Sequence, residues 1–426
     1  MQEYDTAAQK NKKITFAETT ARMNRKITRI LPWALPVTAV AIIRHNTSLA
    51  DFYAVHIYPS VSGVLSFLSQ VVRISFTEIT VLAFTLVFVT IVIKALKKGG
   101  SIRVGLISTL KLAAVIYIWF YLGWGICYSR SSLPARAGVQ VPDFDSARFT
   151  AFLYEYSNTL DSLYALTQAH PDSISDSIHE TESDAVPTIE AITNNSSVQE
   201  PQAQQLSEKF KPRRTRFRMT DYGESDSGIK AIEEGMKQFY ASVPARFGLA
   251  KPREWQHVKR PLLNRLYSGC GVTGFMGPFW GESQLNLEVW PVSYPFTLMH
   301  EYSHLLGTAV ESEANWWAFQ ACNAQPDPAI RYSAHYSILP YVWSNARTLL
   351  EPDAFAAWAK TINPEIIEQD REESEFWQQK RFAPLDKAQS FIYDLYLKGN
   401  GIPTGTRNYS EVVALLMAIP CVNPAE

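Results

Sequence analysis

The chain has 426 residues, enough for a sizeable hydrophobic core and two or three modules. Its 40 basic and 41 acidic residues leave a net charge of −1, and no basic stripe rises above the background, so we expect no nucleic-acid partner. Aromatic residues make up 12% of the chain and include 11 Trp, a content that suits aromatic belts at a membrane interface.

The first segment of the chain is polar and then apolar. Residues 1–29 become basic toward their end, which predicts a cytoplasmic N-terminal segment. Residues 30–43 are apolar but contain two prolines; alone they are short for a membrane span and resemble a signal-peptide core. No small-residue cleavage site follows them. With support from the family resemblance described below, we predict the first of three transmembrane helices here.

Two longer apolar segments follow. Residues 74–93 carry a single charged side chain, Glu78, near one end, and residues 104–128 end in a cluster of Trp and Tyr. The intervening loop, 94–103, is basic and contains no acidic residue. These patterns predict the second and third transmembrane helices and a membrane region over 30–128. The alternative is that both segments are buried core helices of a soluble protein.

The orientation follows from the positive-inside rule. The basic N-terminal segment and the basic 94–103 loop are both expected in the cytoplasm. Three spans then place residues 129–426 outside it, in the periplasm of a two-membrane bacterium or facing outward in a one-membrane one. The sequence therefore predicts a multi-pass cell-membrane protein with an extracytoplasmic domain, and the lipid bilayer as one partner.

The predicted extracytoplasmic domain is mainly helical. Residues 171–216 are rich in Ser, Asp, Glu, Thr, Gln and Pro, which predicts a flexible insertion. Residues 284–290 alternate between apolar and polar and predict an edge strand of a small β-sheet. Such a strand either binds a peptide substrate by backbone pairing or is an ordinary strand of the sheet.

The most informative motif is HExxH, at His300, Glu301 and His304. A helix places residues four apart on one face, so the two imidazoles can bind one zinc ion. Glu301 lies beside them and can act as the general base that takes a proton from water. Apolar neighbours predict that this helix is buried.

A catalytic zinc ion needs a third protein ligand, and two acidic residues follow the motif. On one unbroken helix Glu311 would lie roughly 10 Å along the axis from His304, too far to share a metal. We therefore expect a turn near Gly307 and a second helix starting at about Glu311. Glu311 is the preferred ligand and Glu313 the alternative; both can instead be acidic residues of a helix's first turn.

These residues carry a resemblance to known families. HEYSH followed by ESEANWWAF resembles the pattern of gluzincin-type metallopeptidases, in which the first Glu of the second motif is the third zinc ligand; this corresponds to Glu311. The chain is also similar to a bacterial family known as a domain of unknown function, in which an HExxH site follows several membrane helices. That similarity covers most of the chain and is strongest over 270–336. It rests on TGF at 273–275, GESQLN at 281–286, PFTLMHEYSH, ESEANWWAFQAC and RYS at 331–333.

Some residue roles stay open. Peptidases need a donor that stabilises the tetrahedral oxyanion, and Tyr332, His335 and Arg331 are the candidates, in that order. His335 can instead be a residue of a helix surface. None of the four cysteines has CxxC spacing. If the domain faces an oxidising compartment, one pair among the last three, at 270, 322 and 421, can form a disulfide; the alternative is that they are buried free thiols.

The sequence thus predicts a zincin-like domain, mainly α with a small β-sheet, that follows three N-terminal transmembrane helices. The predicted function is a membrane-anchored zinc metalloendopeptidase that hydrolyses peptide bonds of envelope or secreted proteins. Zinc would be held by His300, His304 and Glu311, with Glu301 as the catalytic base and Tyr332 or His335 as the oxyanion donor. The alternative is a catalytically inactive membrane sensor or scaffold with the same fold.

Overall fold

A computed structural model describes residues 32–72, 74–169, 226–404 and 411–422 of the chain. The predicted cytoplasmic segment 1–29 and the predicted insertion 171–216 lie outside these residues. The described part is mainly helical with one small sheet, which confirms the predicted structural class. In chain order, its α-helices and strands are α1 Pro32–Arg44, α2 Thr47–Phe52, α3 Tyr58–Gln70, α4 Phe76–Leu96, α5 Ile102–Gly123, α6 Leu133–Ala137, α7 Ser146–Ala169, α8 Asp226–Ser242, α9 Asn264–Gly269, β1 Gly274–Gly277, β2 Glu282–Leu285, α10 Tyr294–Leu305, α11 Glu311–Asn323, α12 Pro328–Leu349, α13 Pro352–Ala359, α14 Pro364–Lys380, α15 Ala383–Gly399 and α16 Val412–Ala418.

Two helices, α4 and α5, are long and apolar enough to cross a membrane. Each begins at a serine that lies just before the helix and whose side chain accepts a hydrogen bond from a first-turn N–H, Ser75 for α4 and Ser101 for α5. Almost none of the most apolar window of either helix is buried in the protein. They pack against each other as a hairpin, with the predicted basic loop at its tip.

The prediction of three membrane helices is wrong at the first predicted span. The apolar residues there form α1, Pro32–Arg44, which is shorter than the two long helices. At 1.5 Å per residue this helix is about 20 Å long, whereas a hydrocarbon core is about 30 Å thick. The described residues therefore contain two helices that are both long and apolar enough to span a membrane, and not three.

The sheet has two antiparallel strands, with Gly274 opposite Leu285 and Gly277 opposite Glu282. On its other side β2 makes a parallel bridge between Gln284 and Lys259. The prediction of an edge strand over 284–290 is thus wrong. The strand occupies Glu282–Leu285 and is internal, and residues 286–290 form a turn in which Val289 N–H bonds to Asn286 O. The outer strand is β1.

Helix α10 lies at the centre of the domain. All of its residues except Thr297 are buried, as are nearly all of those in α11. It packs against α11, α12 and both strands, and the adjacent indoles of Trp316 and Trp317 fill the core behind α11. A helix that is buried all round is stabilised by its apolar neighbours and needs every polar side chain to find a partner.

Gly307, two residues after the end of α10, has a backbone conformation that strains an L side chain. Gly307 has φ +100°, and a Cβ there would lie 3.1 Å from the ring of Tyr58. Gly307→Ala is therefore expected to destabilise the protein by roughly 1–3 kcal/mol, because an L side chain is strained in this conformation. The measurement is thermal unfolding of the full chain in detergent. Gly399→Ala is the matched control, since nothing lies within 4 Å of the Cβ it adds; equal midpoints for the two variants would contradict the prediction.

Candidate metal centre

The turn after α10 brings the two histidines and the following acidic residues together. Gly307 in the left-handed region lets Thr308 N–H bond back to Ser303 O at 3.1 Å, which closes the end of the helix. The chain then reverses, and α11 begins at Glu311. The turn near Gly307 and the second helix from Glu311 are both present as predicted.

Three potential ligand atoms converge on one point. His300 Nε2 lies 3.1 Å from His304 Nε2 and 3.1 Å from Glu311 Oε2, and His304 Nε2 lies 3.3 Å from the same oxygen. All three side chains are buried, and their ligand atoms lie within 4.8 Å of one another. The cluster can hold a metal ion.

The spacing of these atoms suits a small tetrahedral cation. Ligands about 2.0–2.1 Å from a tetrahedral ion lie roughly 3.3–3.4 Å from one another. The three observed separations, 3.1 to 3.3 Å, are close to this value. Without a cation, two imidazole nitrogens and a carboxylate oxygen would have to share protons within this small volume. The donor set and its geometry therefore fit a divalent ion.

Neighbouring groups orient two of the three ligands, His304 and Glu311. His304 Nδ1 lies 2.7 Å from Thr308 O, so this nitrogen carries the proton and leaves Nε2 free to coordinate. Asn315, one turn after Glu311, is close enough to His300 to affect its pKa. The second carboxylate oxygen of Glu311 accepts a hydrogen bond from the hydroxyl of Tyr393 on α15. Such partners fix the orientation of metal ligands.

Glu313, the alternative third ligand, has other partners. Its carboxylate accepts a hydrogen bond from Leu133 N–H at 2.7 Å and forms a buried ion pair with Arg136. Both groups belong to the short helix α6, and Glu313 is not part of the ligand cluster. The geometry thus brings Glu311, and not Glu313, to the two histidines.

Glu301 is buried beside the cluster. Its Oε2 has no hydrogen-bond partner among the described residues, and its carboxylate approaches β1 where Gly274 has no side chain. A Cβ at position 274 would lie 2.6 Å from Glu301 Cγ, so only glycine leaves room for this carboxylate. Burial raises the pKa of Glu301 to about 8, with a smaller opposing effect of His304.

The ligand side chains have strongly shifted pKa values. Burial lowers the pKa of His300, and the hydrogen bond to Glu311 offsets this only in part. Burial also lowers the pKa of His304, but the Glu311 carboxylate outweighs it and raises the value to about 9. Burial alone would raise the pKa of Glu311, but the two imidazoles hold this pKa well below the ordinary range. A bound cation would take the place of these protons.

The two preferred candidates for the oxyanion donor, Tyr332 and His335, have other contacts. The hydroxyl of Tyr332 donates to Gln369 Oε1 at 2.7 Å. His335 is buried against the ring of Phe319, which is two turns, about 12 Å, along α11 from Glu311, and burial lowers its pKa to about 4. Neither side chain contacts the ligand cluster. Their predicted role stays a prediction without geometric support.

Sequence reasoning missed Tyr393, which lies 82 residues after Glu311. It belongs to no motif, and nothing in its local pattern separates it from a packing tyrosine.

The structure also distinguishes between the two predicted alternatives for the cysteines, a disulfide and free thiols. Cys127, Cys270, Cys322 and Cys421 are all free, so none of the described pairs is a disulfide.

Residues 53–417 match the family described as "Protein of unknown function (DUF3810)". The chain belongs to this family. The match confirms the predicted similarity to a family known as a domain of unknown function, and it runs from the segment before α3 into α16. No curated protein and no solved structure matches the chain.

The pKa shifts predict how stability of the metal-free protein depends on pH. Between about 4.5 and 8, Glu301 ionises in the unfolded state before the folded state, and between about 6.5 and 9 the folded state keeps a proton on His304 that the unfolded state loses. Both effects reduce stability as pH rises. After treatment with a chelator, the thermal midpoint of the full chain is expected to fall between about pH 6.5 and 9.

Glu301→Gln is the control for this prediction. It removes the contribution of Glu301 and keeps that of His304, so the decline should be shallower. The metal-loaded protein should not decline in the same way, because a bound cation keeps the ligands deprotonated. A midpoint that stays level or rises over this range after chelation would contradict the predicted shifts.

Proposed function

We propose that the protein is a membrane-anchored zinc metallopeptidase. The observation that carries the proposal is the convergence of two imidazole nitrogens and one carboxylate oxygen within 4.8 Å, next to a buried carboxylate. A set of His, His and Glu with an adjacent glutamate is the arrangement of catalytic zinc sites that hydrolyse peptide bonds. It supports hydrolysis more than a purely structural site, since a structural zinc ion is usually enclosed by four protein ligands.

The four residues of the site have different proposed roles. His300, His304 and Glu311 would hold the zinc ion, which when bound supplies Lewis acidity to water and to a carbonyl oxygen. Glu301 takes a proton from the attacking water and passes it to the leaving amine. The raised pKa of its carboxyl group in the metal-free protein, about 8, reflects burial. A cation beside it favours the carboxylate form that a base requires.

The strand β1 is the proposed binding site for the substrate backbone. It is the outer strand of the sheet, and its first residue, Gly274, adjoins Glu301. An extended peptide that pairs with this edge would place its backbone next to the carboxylate. The predicted docking by β-augmentation is thereby assigned to β1 instead of the segment 284–290.

The membrane anchor of the proposal consists of α4 and α5. The basic loop between them is placed in the cytoplasm by the positive-inside rule. Both long helices then lead to the catalytic domain on the opposite side, whether or not α1 enters the bilayer. The expected substrates are therefore peptide bonds of envelope or secreted proteins.

The metal content of purified full-length protein tests the ligand set. We expect about one zinc ion per chain in the wild type and loss of most of it in His304→Ala and Glu311→Ala, because each variant removes one of three ligands. Elemental analysis is the measurement. Glu313→Ala is the matched control and should retain the metal. Loss in Glu313→Ala with retention in Glu311→Ala would contradict the ligand assignment, and a folded wild type that binds no divalent metal would contradict the proposed function.

A second variant separates an enzyme from a scaffold. Glu301→Gln is expected to bind zinc normally but to lose roughly 10²–10⁴-fold in peptidase activity, because it keeps the size of the side chain and removes the base. Cleavage of a protein or peptide library by the reconstituted chain is the readout. If Glu301→Gln supports the cellular role of the protein as well as the wild type does, the scaffold interpretation is favoured.

A further inference from the structure

Helix α15 has two different faces. One face turns inward, where Tyr393 reaches Glu311 and Leu397 is fully buried. The other face exposes Phe391, Ile392 and Leu395, with 65%, 65% and 53% of each residue accessible. Large apolar side chains that are exposed together on one helix face mark an interaction surface.

The C-terminal end of α15 packs against the C-terminal end of α5. The hydroxyl of Tyr121, near the end of α5, donates to Asn400 Oδ1 at 2.8 Å, directly after α15. The ring of Phe120 packs against Tyr396 with centroids 5.8 Å apart. The C-terminal end of α15 therefore lies at the same level as the end of this long apolar helix.

A second exposed apolar segment lies at the corresponding end of α4. Glu78, in the first turn of α4, accepts hydrogen bonds from the backbone N–H groups of Leu262 and Leu263 at 2.7 and 2.9 Å. The side chains of Leu262, Leu263 and Leu266 are 51%, 37% and 46% accessible. This segment leads into α9, and Phe382, which is 63% accessible, joins it to α15 through a hydrogen bond from its N–H to Gly269 O.

These two segments form one apolar collar around the same end of the α4–α5 hairpin. Helix α4 begins where α5 ends, because the two helices are antiparallel neighbours. We define the collar by seven residues. They are Leu262, Leu263, Leu266, Phe382, Phe391, Ile392 and Leu395.

We propose that the collar is embedded in the interface of the lipid leaflet at this end of the hairpin. The inference rests on the proposed membrane anchoring by α4 and α5. The bilayer is the occupant that continuity favours, since the exposed apolar surfaces of both long helices lead directly to the collar. The sequence of α15 also suits this position, because Lys387 and Lys398 flank its apolar face and amphipathic interfacial helices place lysines at the headgroups.

The position of α15 restricts the substrate. Tyr393 contacts a ligand of the metal centre, and Leu395, two residues later, lies on the collar. The centre is thus separated from the lipid by about one helix diameter, roughly 10–12 Å. The peptide bonds that reach it are therefore those close to a membrane surface, in the first extended residues beyond a transmembrane segment or a lipid anchor.

The test measures lipid contact in the full chain. Cys270 and Cys421 are replaced by Ser, while the buried Cys127 and Cys322 are kept. One fluorophore is attached to Ile392→Cys, or to Leu395→Cys as a second site. The protein is reconstituted at one copy per nanodisc. Quenching by lipids that carry a nitroxide on the acyl chain, near the headgroup end for the collar positions and position 374 and near the methyl end for position 86, is compared with quenching by aqueous iodide.

Two labelled positions serve as references. Leu86→Cys lies on the exposed surface of α4 and reports insertion of the anchor. Ser374→Cys lies on α14 beside the exposed ion pairs of Arg371 with Glu368 and Glu375, where lipid contact is not expected. For an interfacial helix, position 392 should show at least roughly twofold stronger lipid quenching than position 374, and weaker quenching by iodide.

The outcomes separate this inference from the proposed anchoring. Lipid quenching at 86 and 392 but not at 374 supports the embedded collar. Quenching at 86 together with iodide access at 392 and 395 equal to that at 374 overturns the collar and leaves the anchor in place. Absence of lipid quenching at both 86 and 392 overturns the anchoring as well, and equal quenching at 374 and 392 assigns the lipid contact to a different face.

Discussion

The burial of four titratable side chains in one small volume is the constraint on which the domain depends. His300, His304, Glu311 and Glu301 are each less than a tenth exposed. A charged group in such a place is stable only with a close partner, and here the partners are the other members of the cluster or a cation. The surrounding structure must therefore hold α10 and α11 in one fixed register. A small displacement would leave a buried charge or an imidazole without its partner.

The end of α10 is fixed by side chains from the N-terminal part of the chain. The last carbonyl groups of a helix lack partners within it. Trp124 Nε1 donates to His304 O at 3.0 Å, the hydroxyl of Tyr58 to Leu305 O at 2.9 Å, and Arg130 to Gly307 O at 3.1 Å. These donors come from α3, from the residue after α5 and from the segment before α6, so the region around the two long apolar helices and the ligand cluster form one structural unit. The family match over residues 53–417 includes all of them.

The sequence predicts local features of the site better than distant ones. Helix periodicity alone relates His300, Glu301 and His304. Glu311 can join the ligand cluster only if the chain turns after α10, and Gly307 permits that turn. Arg136 forms the ion pair that keeps Glu313 out of the cluster. It lies 177 residues from Glu313 in the sequence, so local sequence spacing cannot predict the pair. The same holds for Tyr393. The alternation over 284–290 predicted a strand, but Gln284 already pairs on both sides and the later residues turn toward α10. Composition cannot show which strand is at the edge.

The link between the long helices and the sheet explains how β1 comes to lie beside Glu301. Glu282 on β2 is fully buried and accepts hydrogen bonds from the N–H groups of Phe76 and Thr77 at the start of α4, while Lys259 pairs with it at 2.7 Å. A helix N-terminus favours a carboxylate, but a buried ion pair adds little net stability, so its effect is mainly to fix position. Glu282 is paired with Gly277 in the sheet. The contacts that hold β2 at the start of α4 therefore also hold β1 in place. The strand that limits the space around the Glu301 carboxylate is thereby positioned by the same helix that is long and apolar enough to cross a membrane.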